Sequence, residues 1–214
     1  MKQHSEIKFH QTFPAKVIIA MVFVFAVIAM TSAFKSGNDF TSANTVFHTV
    51  KKDSAESVKA FMRVYKVLMS PRCMNCHPAG DAPLQGDDSH IHTMNVQRGK
   101  DGTGLYAVKC SNCHQPANIS GPHTPPGNPK WKLPPADMKM VFQGKTPRQL
   151  AIQIMNYNQN GHKNKEQLLE HARDTLVKAG WNMGEGRIPP PIAYDAFVAA
   201  WDKWINNGGY APKR

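Results

Sequence analysis

The chain has 214 residues, of which 41% are hydrophobic and 19% charged, enough for one domain or two small ones with a modest core. This composition excludes a disordered tail and a polytopic membrane protein, while 16 prolines and 15 glycines point to short elements joined by irregular chain. The formal charge of +11 suits an acidic protein, anionic lipid or nucleic acid and does not choose among them.

At the amino end, residues 17–30 (VIIAMVFVFAVIAM) form an unbroken apolar run behind Lys2, Lys8 and Lys16, and the uncharged stretch continues to Phe34. A basic flank followed by an apolar core is the pattern of an export signal, with Thr31 and Ala33 as the small residues of a cleavage site. The stretch from Val17 to Phe34, at about 1.5 Å per helical residue, also approaches the roughly 30 Å hydrocarbon core of a bilayer, so a single retained anchor is the alternative. Residues 1–34 are therefore expected to be a signal peptide or a single transmembrane anchor, and residues 35–53 a polar spacer. On either reading the bulk of the chain lies in the periplasm or at the extracytoplasmic face of the cytoplasmic membrane, anchored by residues 17–34 or released by cleavage.

Asp53 or Ser54 can cap a helix whose Val58, Phe61, Tyr65 and Leu68 recur at spacings of three and four, with Pro71 as its stop. From Ala79 to Thr103 the glycines Gly80, Gly86, Gly99 and Gly102, with Gly104 just beyond, break any regular period, which predicts a loop; Leu105, Tyr106 and Val108 then suggest a short helical approach to Cys110. The proline- and glycine-rich stretch from Gly121 to Pro135 is neither helix nor central strand. Thr146-Pro147-Arg148-Gln149 has the cap, the N1 proline and the N3 glutamine of a helix start. Helices are predicted over Lys165 to Lys178 and Tyr194 to Asn206, the second with Phe197, Ala200, Trp201, Trp204 and Ile205 on one face and Gly208-Gly209 as its stop. No run reads as a strand, so the expected fold is mostly α with extensive irregular loops.

All four cysteines fall in two copies of one pattern, Cys73-Met-Asn-Cys76-His77 and Cys110-Ser-Asn-Cys113-His114. In CxxCH, two thiols two residues apart can form thioethers with the vinyl groups of a haem while the adjacent histidine ligates the iron. Two covalently bound haem c groups are the expectation, with residues 54–214 as a dihaem region. Four cysteines with spare histidines can also make a zinc site, and a CxxC pair can be a thiol-disulfide centre.

Each iron has a second axial position. For the second haem, Met138 is favoured because Pro134 and Pro135 stiffen its approach, with Met140 and His123 as alternatives. For the first, His90, His92 and Met94 stand within five residues of one another, and Met94 is favoured over the two histidines. Arg98 and Arg187 are candidates to pair with haem propionates, and the four tryptophans are candidates to shield the porphyrins.

A helical approach, CxxCH, a proline-preceded methionine and a carboxy-terminal helix, spanning about residues 100–206, resemble the class I c-type cytochromes. That resemblance implies a cytochrome c-like fold, with His114 proximal, Met138 distal and single-electron exchange at the haem edge. The blocks Leu84 to Ser89, His92 to Gly99 and Gly184 to Pro191 further resemble exported cytochromes that serve isoquinoline 1-oxidoreductase and related molybdenum hydroxylases. This second resemblance implies a cytochrome that accepts electrons from an oxidoreductase; the partners expected are a redox protein donor and acceptor, with a membrane respiratory or dehydrogenase complex as a candidate setting and no nucleic acid. The leading functional expectation is a dihaem carrier of single electrons; a dihaem peroxidase-like enzyme and a structural haem subunit of a membrane redox complex are the alternatives.

Overall fold

The computed structural model describes residues 54–213. Helix α1 (Ser54–Leu68) lies along the carboxy-terminal helix, α6 (Tyr194–Asn206), and their apolar faces make the centre of the core. Phe61 and Trp204, both without exposed surface, meet with ring centroids 4.5 Å apart. The face that α1 buries is Ser57, Ala60, Phe61, Val64, Val67 and Leu68, rotated from the expected one. Ser57 turns inward because its hydroxyl donates to the Trp204 carbonyl at 2.9 Å and accepts from Tyr210 N–H at 3.1 Å, so a buried polar group is fully satisfied.

Pro71 does more than end α1: it takes the first turn of a short second helix, α2 (Pro71–Met74), where its missing N–H costs nothing. Helix α3 (Pro147–Met155) begins with the expected reciprocal cap, Gln149 N–H to the Thr146 hydroxyl at 3.3 Å and Thr146 N–H to the Gln149 side chain at 2.9 Å. The single helix expected over Lys165 to Lys178 is two, α4 (Lys165–His171) and α5 (Thr175–Ala179), because the Asp174 carboxylate accepts the Leu176 N–H at 2.8 Å and starts a new helix.

Two antiparallel hairpins stand where no strand is expected: β1 (Leu84–Gln85) with β2 (His90–Ile91), and β3 (Gly104–Leu105) with β4 (Val108–Lys109). The second replaces the helical approach to Cys110. Gly104, at φ +98°, approaches the opposite strand so closely that a Cβ would lie 2.5 Å from the Val108 carbonyl oxygen. The expectation of a cytochrome c-like fold led by a signal or anchor helix is therefore corrected to a small, mostly α domain with two short antiparallel two-stranded sheets.

Among the described residues no helix is long and apolar enough to cross a membrane. The longest, α1, has 15 residues against about 20 for a span, and its outer face carries Glu56, Lys59, Arg63 and Lys66. The transmembrane expectation and the placement at a membrane face or in the periplasm are corrected on this finding; residues 17–34, on which both were built, lie outside the described residues.

Candidate functional site

The first CxxCH continues the coil of α2. Cys73 N–H reaches the Ser70 carbonyl, Cys76 N–H the Cys73 carbonyl at 3.2 Å, and His77 N–H the Met74 carbonyl at 2.9 Å, which puts both thiols on one side of a tight turn. His77 is held twice. Its Nδ1 lies 2.7 Å from the Met140 carbonyl oxygen. A carbonyl only accepts, so Nδ1 carries the proton and Nε2 keeps a free lone pair. Its ring also stacks on Phe142 with centroids 3.9 Å apart and planes 7° from parallel, while Phe142 N–H donates to the His77 carbonyl at 2.9 Å.

The second CxxCH is reached through β4 and a 3₁₀ turn, Cys110–Asn112. His114 has the same two supports. Its Nδ1 is 2.8 Å from the Pro126 carbonyl oxygen, and its ring stacks on Trp131 at 4.2 Å and 12°. The proline-rich stretch and the segment after it thus run beneath both motifs, supplying a carbonyl and an aromatic to each histidine.

Burial keeps these groups neutral. It pushes the Cys73 thiol up to about 12 and Cys76 up to about 11, with each helped by a neighbouring cysteine, and it raises Cys110 as well. Burial drives His77 down to about 4 and lowers His114, against the opposing effect of their carbonyl partners. All four cysteines are free of disulfides. The buried thiols of Cys73 and Cys76, held protonated in this way, are poor nucleophiles for disulfide exchange, which counts against a thiol-disulfide centre at the first motif.

A cavity of about 630 Å³ opens at the second motif. Cys110, Cys113 and His114 form one wall, and Cys76 of the first motif reaches the same space. Leu84, Val96, Val108, Trp131 and Leu133 make much of the lining apolar, and four cations stand at it, Arg72, Lys109, Lys132 and Arg187. Arg72 is only 7% exposed. It donates to the Gly86 carbonyl at 3.1 Å and pairs with Asp87, and its Nε has no partner. A large apolar slot with thiols and an imidazole on one wall, and a buried guanidinium with an unused donor, fits a flat apolar cofactor with acidic substituents.

The residues expected to ligate the first iron line a cavity that both motifs reach. His90, His92 and Met94 line the cavity of the second motif, and so does His123. Met138, expected over the second haem, is not part of that lining; its Cγ neighbours Gly161. Met140 contributes its carbonyl to His77 and packs its side chain against the core. Arg187 donates to the Met183 and Thr124 carbonyls, both at 2.8 Å, and still borders the cavity. Arg98, 1% exposed, is a strut that joins the Pro134 carbonyl at 2.6 Å to the Gly80 carbonyl at 3.2 Å.

Three contributors were not singled out in the sequence: Arg72, Phe142 and the carbonyl of Pro126. Arg72 alone had a signal, since it precedes Cys73. Among the described residues no group of three or more His, Cys, Asp or Glu side chains could hold a metal ion. That corrects the expectation of a metal-binding cluster and removes the zinc alternative, because the thiols and imidazoles of the two motifs do not converge on one point. No protein-family model, curated protein or solved structure matches the chain.

Proposed function

We propose that this chain binds two haem c groups covalently and passes single electrons from a donor protein to an acceptor protein. The observation that carries the reading is the duplicated support of His77 and His114: in each, Nδ1–H is spent on a downstream backbone carbonyl and the ring face on an aromatic, so that Nε2 alone is offered to an iron. Histidines that ligate metals are oriented in this manner by a partner on the other nitrogen, which fixes the tautomer and raises ligand basicity. A core histidine without a ligand needs no such pair of supports, and its occurrence twice, each time beside a Cys-x-x-Cys, supports a common cofactor.

Cys73, Cys76, Cys110 and Cys113 would hold the haems. Each thiol adds its S–H across a vinyl double bond, sulfur bonding to one carbon and hydrogen to the other, with nothing released. His77 and His114 would each offer Nε2 to an iron, and Arg72 and Arg187, which border the cavity, would pair with the acidic substituents. When bound, the haem iron supplies a reversible one-electron change; the protein's part is to fix the axial ligands and exclude water. Cys76 lines the same space as Cys110 and Cys113, which supports a short path between the two groups. The basic chain favours an acidic partner, and the blocks that resemble cytochromes serving molybdenum hydroxylases favour an oxidoreductase as donor.

Redox titration of the holoprotein is expected to return one electron per haem, with rapid exchange on mixing with a redox partner. Steady-state peroxide consumption, measured after selective reduction of one haem, separates the carrier from a peroxidase. Turnover no greater than that of free haem retains the carrier reading, and fast turnover overturns it.

A further inference from the structure

His92 and His114 both line the cavity, and their imidazole rings are tilted to each other with centroids 6.4 Å apart and planes 59° from parallel. One metal shared between two imidazoles sets a characteristic spacing. Two metal–nitrogen bonds of about 2 Å and about 1 Å from each nitrogen to the centre of its ring, whose bonds are about 1.3 Å, add to about 6 Å. Direct ring stacking would bring them closer and more parallel, as His114 and Trp131 are at 4.2 Å and 12°.

His92 is also prepared as a ligand. Its Nδ1 lies 2.8 Å from the Thr93 carbonyl oxygen, so, as in His77 and His114, the proton sits on Nδ1 and Nε2 is free. Its backbone is fixed through His92 N–H to the Pro83 carbonyl at 2.9 Å, just beyond the β1–β2 ladder. Around it Ser89, Met94 and Asn95 hold left-handed φ of 56°, 65° and 52° without being glycine. Non-glycine residues hold this conformation where the surroundings demand it. Among the competing side chains, His90 is tied to Asp88 through Nδ1 at 2.6 Å, Met94 is 72% exposed and Met138 does not line the cavity; His123 and Met183 do line it, but the imidazole in ring contact with His114 is that of His92.

We infer that His92 is the distal ligand opposite His114, so that the second haem is bis-histidine rather than histidine-methionine. This rests on the proposed covalent haem attachment. With both axial positions filled by imidazole, this iron has no open site for peroxide, and it lacks the methionine ligand that raises the potential of cytochromes of the His/Met kind.

The test uses the full-length holoprotein, with haem stoichiometry from its denatured mass and axial ligation from electron paramagnetic resonance of the ferric state. His92→Ala is expected to keep both haems, convert one of the two low-spin signals to high spin, and recover it on addition of imidazole. His92→Met is expected to gain the far-red methionine-to-iron absorption and shift one midpoint potential upward. Two attached haems with native signals in His92→Ala, or no new absorption and no upward shift in His92→Met, would overturn the ligand assignment while leaving the haem reading intact. Loss of the same low-spin signal in Met138→Ala would overturn it in favour of the methionine. A polypeptide with no attached haem would refute the attachment and this assignment together.

Discussion

Phe142 and Trp131 make the same contact with their histidines but differ in what lies behind them, which allows orientation of the ligand to be separated from stability. Phe142 is 6% exposed and belongs to the main core, whereas Trp131 is part-exposed and borders the cavity. Phe142→Leu keeps an apolar side chain but loses the near-parallel stack at 3.9 Å. An aromatic contact of this kind contributes about 0.5–1.5 kcal/mol beyond burial, and an altered core shape costs up to about 1.5 kcal/mol more. The expected loss is about 2 kcal/mol, a substantial share of the roughly 5–15 kcal/mol typical of a domain. With a urea slope of about 2 kcal/mol/M, the midpoint falls by about 1 M. Trp131→Leu loses the corresponding stack without opening the core, and its midpoint moves by less than about 0.5 M. Urea unfolding of the two holoproteins, followed by far-ultraviolet circular dichroism, measures the difference, and redox titration is expected to show one midpoint disturbed in each, a different one in each variant. Equal urea shifts, or both variants disturbing the same midpoint, would refute the assignment of one aromatic to each histidine.

Arg72→Met removes a buried cation beside the cavity and frees Asp87, and both changes disfavour the reduced iron. One haem potential should fall by about 40 mV, from about 1 kcal/mol of charge interaction at 59 mV per tenfold, and an unchanged potential would place Arg72 away from the cofactor. Gly102 sits at φ +84° where a Cβ would lie 2.0 Å from the Leu133 carbonyl oxygen. Gly102→Ala should cost about 3 kcal/mol or more in urea unfolding, whereas Gly144→Ala, at φ +75° with nothing within 4 Å, should cost only about 1 kcal/mol. Ser57→Ala leaves the Tyr210 N–H without its partner, while the Trp204 carbonyl keeps the Gly209 N–H at 2.9 Å, and should lower thermal stability by the equivalent of about 1 kcal/mol; a neutral effect would show that water replaces the hydroxyl.

What the sequence made legible was local chemistry. Each CxxCH carries, within five residues, the two thiols and the imidazole that the proposed haem would use, and helix α6 and the cap of α3 are written in their own residues, Gly208-Gly209 after one and Thr146 to Gln149 in the other. The hairpins were not legible, because two-residue strands are too short to alternate and the glycines that build them read as loop. The buried face of α1 was misread because Ser57 is drawn inward by partners 147 and 153 residues away. The placement of the loop that carries His90, His92 and Met94 was illegible for the same reason at larger scale. Sequence proximity suggests that His90 to Met94 return over Cys73 and Cys76. Arg98, bound to Gly80 and Pro134, and the β1–β2 pairing instead turn that loop toward His114. A motif announces what is covalently near it, whereas a ligand delivered by a long loop depends on where the chain folds back.

The mass of the denatured full-length protein, expressed where haem can be attached, tests the central claim most directly. Thioethers survive denaturation and acid extraction, so the polypeptide is expected to carry two haem masses, falling to one when Cys73 and Cys76 are replaced together by Ala, and to one when Cys110 and Cys113 are. A polypeptide at its unmodified mass, or haem that is lost entirely on extraction, would contradict the account.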